Sequence, residues 1–87
     1  MDIEMMKPET LILEIVKSLV DHPEQVSISP LIGETVAVIE IHVADSDVGR
    51  ALGKGGMYPE ALRCIFSAIY SKAGKRLQLQ VVEPRRR

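Results

Sequence analysis

The chain has 87 residues, 46% of them hydrophobic and 26% charged, which is room for one soluble globular domain and excludes disorder along its whole length. No apolar run approaches the roughly 18–20 residues of a membrane span, and Met1 to Lys7 carry acids where a secretory leader would be apolar, so a cytosolic protein is expected. The formal net charge of −1 hides an asymmetry: residues 1–47 carry ten acids and two bases, residues 48–87 nine bases and two acids. Halves of opposite sign either attract each other on folding or present one face to a polyanion.

In chain order, Pro8 to Val20 reads as an amphipathic helix, with Ile12, Ile15, Val16, Leu19 and Val20 on one face and Pro8 in its first turn. His22-Pro23 ends it, because a residue before proline avoids helical angles. Val26 to Ile28 is a short strand, and Pro30 and Gly33 punctuate a loop. Thr35 to Val43 is the clearest strand, with Ala37, Ile39, Ile41 and Val43 inward and Glu40 and His42 outward. Asp45-Ser46-Asp47 signals a helix start, and the helix it opens is brief because Gly53 stops it.

Gly53-Lys54-Gly55-Gly56 is a tight loop, followed by a helix from about Met57 to Ala73. Its expected core stripe is Leu62, Ile65, Phe66, Ile69 and Ala73, with Glu60, Arg63, Ser67, Tyr70 and Ser71 toward water. Leu77, Leu79 and Val81 alternate with Gln78 and Gln80 in a last strand that Pro84 ends, and Arg85 to Arg87 form a basic tail (84–87). The order α-β-β-α-α-β predicts an α+β fold: a two-layer sandwich of a three-stranded sheet covered on one face by helices, spanning residues 8–83.

The glycine loop is the one chemically pointed feature. It is not a P-loop, since Lys54 is followed by Gly55 rather than by a hydroxyl residue. A dinucleotide fingerprint would need glycine where Tyr58 stands and a strand before the loop. What remains is a bend without β-carbons at a helix start, where bare amides, the helix dipole and Lys54 suit phosphate. A plain tight turn has the same composition.

Other chemistries are poorly served. The predicted strands lack the aromatic residues on which sheet-type RNA binders stack bases. His22, His42 and Cys64 are too few for a zinc site of histidine and cysteine, and no metal or cofactor is expected. No nucleophile–base pair stands out, so no enzymatic activity is expected. Cys64, the single cysteine, cannot form an internal disulfide. Met57, Ala61, Cys64 and Ala68 make a stripe of small or flexible residues on the last helix, suited either to packing inside the domain or to a partner.

The run from Val48 to Arg63, with hydrophobic-Gly-Lys-Gly-Gly at its centre, resembles the signature of KH domains. The element order is similar to the prokaryotic type II arrangement. The chain most resembles the small bacterial single-KH-domain RNA-binding proteins of the KhpA (YlqC) group, over roughly Pro8 to Val82 and including Leu19 to Glu24. That resemblance implies single-stranded RNA as partner, about four nucleotides being held at the loop. It makes Gly53 and Gly56 the defining glycines and Lys54 and Gly55 the pair facing the RNA backbone. Arg50 and Arg63 become phosphate or base-edge contacts, and Val48, Leu52 and Leu62 an apolar groove floor.

The resemblance further implies a homodimer, or a heterodimer with a larger KH-containing RNA-binding protein. It also implies a post-transcriptional regulator or RNA chaperone linked to cell shape and division. Met57, Ala61, Cys64 and Ala68 are the candidate dimer interface, and a dimerisation module with little RNA affinity of its own is the alternative function. Relatives usually carry a basic and then an aliphatic residue after the second glycine; here Met57 and Tyr58 stand there, followed by Pro59. Pro59 is expected to push Tyr58 off helical angles, and Tyr58 either packs on the core or stacks on a base.

Overall fold

A computed structural model describes residues 7–83, so the basic tail and the proline before it lie outside the described residues. Helix α1 (Pro8–Leu19) leads through a short 3-10 turn (Pro23–Gln25) to strands β1 (Ser27–Ile32) and β2 (Val36–His42). A second 3-10 turn (Asp45–Asp47) opens α2 (Val48–Leu52). A third (Lys54–Gly56) joins α2 to α3 (Met57–Lys72), and β3 (Arg76–Val81) follows. The sheet order is β1-β2-β3, with β1 antiparallel and β3 parallel to β2. A parallel pair needs a crossover, and α2, the loop and α3 supply it. The result is the expected α+β arrangement.

The core forms where the inward residues of the sheet meet two helix faces. Ile39 and Ile41 of β2 and Ile12 of α1 are fully buried, each worth about 1.5–3 kcal/mol. Ala37, Val16, Val26, Leu62, Phe66, Tyr70 and Leu77 complete the cluster. The alternation in β2 is the sequence pattern made physical: Ala37, Ile39 and Ile41 point into the core, and Glu40 and His42 do not.

Four expectations are corrected. Strand β1 does not stop at Ile28 but runs through Pro30 to Ile32, pairing Pro30 with Ile39. An edge strand tolerates proline because one of its sides needs no donor. The face of α3 is turned from the expected one: Leu62, Phe66 and Tyr70 are buried, whereas Ile65 is 64% and Ile69 41% exposed and Ala73 is also outside. Tyr70 enters the core because its hydroxyl finds Glu9 of α1, donating to Oε2 at 2.6 Å. Burial, with that bond and the Glu9 charge, raises the Tyr70 pKa well above its ordinary value.

Third, the carboxylates before α2 cap nothing: no side-chain cap bond is made at Ala44 or Asp47. Asp47 is instead buried, its Oδ1 accepting from the Asp21 amide at 3.2 Å and its Oδ2 from the His22 amide at 2.8 Å. It ties the chain that leaves α1 to the start of α2. Finally, Tyr58 lies within α3, where Pro59 takes the third position. An amide there has no intrahelical acceptor, so proline costs the helix no bond.

Candidate nucleic-acid interface

Helix α2 is a single turn and a half, and it ends where the Gly53 amide donates to the Gly49 carbonyl at 2.9 Å. Gly53 then takes φ 69° and ψ −175°, a conformation open only to glycine. Gly55 and Gly56 follow at φ 66° and 75°, and α3 begins at once. Three positive φ values within four residues force a sharp reversal that side chains would oppose. Among the described residues, the amides of Lys54 and Gly55 donate to no protein acceptor. Both residues are exposed, and the Lys54 ammonium has no described carboxylate within 4 Å.

The Tyr58 ring lies against this bend. A β-carbon at Gly53 would stand 2.7 Å from Tyr58 Cδ2, closer than real atoms approach. Tyr58 therefore packs on the loop, remaining 38% exposed, and does not enter the domain core. Beside it Leu19, Gly49, Arg50, Gly53, Lys54 and Tyr58 line an open hollow of about 370 Å³. Four candidate residues (Arg50, Gly53, Lys54 and Tyr58) are thus brought together.

Arg63 is not part of that hollow. It sits along α3, where both Nε and Nη2 donate to the Glu60 carboxylate one turn back. The bonds and charge of this pair hold the Glu60 pKa below the usual carboxylate range and raise that of Arg63. Arg50 is likewise paired, its Nε 2.9 Å from Asp21 Oδ2. Among the described residues, this is the only ion pair joining the acidic and basic halves. Among the described bases of that half, Lys54, Lys72 and Arg76 have no carboxylate within 4 Å. Val48 and Leu52 are half-buried on α2, and Leu62 of α3 is a core residue.

Met57, Ala61, Cys64 and Ala68 are all exposed, so the stripe is not used inside the domain. Ile65 and Ile69 flank it and widen it into an apolar face. Sequence periodicity assigned those two to the core; only the placement of α1 against α3 shows otherwise. Among the described residues no three acids, histidines or cysteines gather as a metal site, and no helix is long and apolar enough to cross a membrane.

Comparison with known proteins points the same way. A family model described as "KhpA/KhpB, KH domain" matches residues 9–81. The RNA-binding protein KhpA of Listeria monocytogenes serovar 1/2a is 43% identical over 75 residues, covering 86% of this chain and 99% of that protein. RNA-binding protein KhpA of Aquifex aeolicus is 40% identical over 67 residues, 77% of this chain and 85% of that one. That of Borreliella burgdorferi is 37% identical over 73 residues, 84% and 89% respectively. No solved structure matches the chain.

Proposed function

Since the chain belongs to the KhpA/KhpB KH-domain family, we propose that it is a non-enzymatic cytosolic protein that holds single-stranded RNA at the Gly53–Gly56 bend. The observation that carries this reading is the pair of unpartnered, exposed amides at Lys54 and Gly55 beside a free ammonium. A phosphate laid on the bend would accept from both amides and meet the Lys54 charge, in line with the positive end of α3. Arg50 and Arg63 contribute once they exchange a carboxylate for a phosphate. Val48 and Leu52 offer apolar surface to the bases, with Leu62 supporting them from the core. Tyr58 bounds the same hollow and would stack on a base there.

Family resemblance supports a role as post-transcriptional regulator or RNA chaperone, with links to cell shape and division. The test is binding of a labelled oligoribonucleotide. About four phosphate contacts on a single strand would give a log–log salt slope of roughly −2 to −3. Lys54→Asp is expected to abolish binding without altering the melting temperature, since its backbone needs no unusual angle. Adding Gly55→Asp costs about 1–2 kcal/mol, because a side chain would enter at φ 66°. Retained binding by the doubly substituted protein would remove the bend from the account.

A second reading is favoured by the exposed apolar face of α3. Met57 at 54% and Ile65 at 64% exposure, with Ala61, Cys64 and Ala68 beside them, form a surface on which a second copy, or a larger KH-containing partner, can approach closely. Sizing chromatography of wild type and Ile65→Glu tests it. A concentration-dependent dimer that Ile65→Glu dissociates supports a dimeric module, and a monomer throughout removes it.

A further inference from the structure

Among the described residues a second open hollow, of about 400 Å³, lies at the opposite end of α3 from the glycine bend. Arg63, Ser67 and Ser71 line it from one side of α3, each a turn beyond the last. Gly74, Lys75, Arg76 and Leu77 line it from the turn into β3, and Thr35 from the start of β2's side of the sheet. No lining residue is acidic. Of the acids nearest in sequence, Glu60 pairs with Arg63; Glu34 meets Lys75 Nζ only through its backbone carbonyl, with that of Gly33, and its carboxylate makes no described ion pair. Lys75 thereby braces the β1–β2 turn against the hollow.

The remaining polar groups are uncommitted. Among the described residues the hydroxyls of Thr35, Ser67 and Ser71 make no hydrogen bond, and Arg76, exposed, has no carboxylate within 4 Å. Such a set of hydroxyls and one free guanidinium fits ribose hydroxyls and a phosphodiester. Arg63, which lines this hollow, stands about 10 Å along α3 from Gly56, a distance a few nucleotides span. The apolar face borders the hollow, since Cys64 and Ala68 lie three residues before Ser67 and Ser71 on α3.

We propose that this hollow extends the RNA footprint, taking the sugar–phosphate of nucleotides beyond those held at the bend. The inference rests on the RNA-binding reading above and adds a site that shares only Arg63 with it. It requires that affinity rise with oligonucleotide length past about four nucleotides. The test compares a uridine tetranucleotide with one about twice as long, on wild type, on Ser67→Ala/Ser71→Ala/Arg76→Gln, and on Lys54→Asp.

Wild type is expected to bind the longer RNA about tenfold more tightly. The triple variant should lose that gain while keeping its tetranucleotide affinity and its melting temperature. Arg76→Gln alone should make the salt slope for the longer RNA shallower by about 0.7, the share of one phosphate. A wild type without length dependence, or a triple variant that retains it, overturns the proposal. If Lys54→Asp keeps the longer RNA and the triple variant loses it, the bend reading fails and the hollow stands. If wild type binds neither RNA, both fall.

Discussion

Replacing Gly53 by alanine isolates the contact that shapes the bend. Two costs arise together. The backbone at φ 69° and ψ −175° is closed to side chains, at about 1–3 kcal/mol. The new methyl would also stand 2.7 Å from Tyr58 Cδ2, forcing the ring aside at about 1–3 kcal/mol more. The expected total is about 2–6 kcal/mol, against roughly 4–13 kcal/mol for a domain of this length. Gly56→Ala is the internal comparison. Gly56 also has positive φ, at 75°, but nothing lies within 4 Å of its missing β-carbon, so only about 1–2 kcal/mol is expected.

Urea unfolding followed by circular dichroism measures both. The decisive quantity is a double-mutant cycle with Tyr58→Ala. Removing the ring should return about 1–3 kcal/mol to Gly53→Ala and leave Gly56→Ala unchanged. Gly53→Ala/Tyr58→Ala therefore folds even if Gly53→Ala alone does not. Additivity within about 0.5 kcal/mol would show that the ring does not bear on the bend, and so would equal costs at the two glycines.

Asp47→Ala strips the acceptors from the Asp21 and His22 amides and should cost about 2–4 kcal/mol by urea unfolding, with Asp47→Asn costing less. Tyr70→Phe should cost about 1–2 kcal/mol through loss of its bond to Glu9. Because folding raises the Tyr70 pKa, the proton is held more tightly in the folded state. Stability is then full below about pH 10 and falls as pH rises beyond it, by up to about 1.4 kcal/mol per pH unit. Tyr70→Phe should flatten that alkaline decline in a pH series of melts. Asp21→Asn frees Arg50 from an exposed pair, so stability should move by less than about 1 kcal/mol while RNA affinity, read by fluorescence anisotropy, rises.

Much of the fold is local and was therefore legible. The strand faces of β2 and β3 follow from alternation, and the crossover from β2 to β3 follows from the intervening helices. What the sequence concealed depends on groups distant along it. Pro30 reads as a loop until its strand is known to lie at the edge. Tyr70 reads as wet until its hydroxyl meets Glu9, 61 residues earlier. Asp47 reads as a helix cap until the end of α1 arrives beside it. The site followed the same division. The glycines and Lys54 were visible as a motif, whereas the pairing of Arg50 with Asp21 and the seat of Tyr58 on Gly53 required the assembled chain. Ile65 and Ile69 carry the periodicity of core residues, and nothing local marks them as surface.

Pro30 has one more bearing on how this protein behaves at high concentration. Leu31, 73% exposed, and Ile32, 48% exposed, sit on the outermost strand, where a neighbouring molecule could add itself rung by rung. A ring nitrogen in mid-strand leaves a gap in that ladder. This edge can thus carry sticky side chains while remaining a poor template for fibrous stacking.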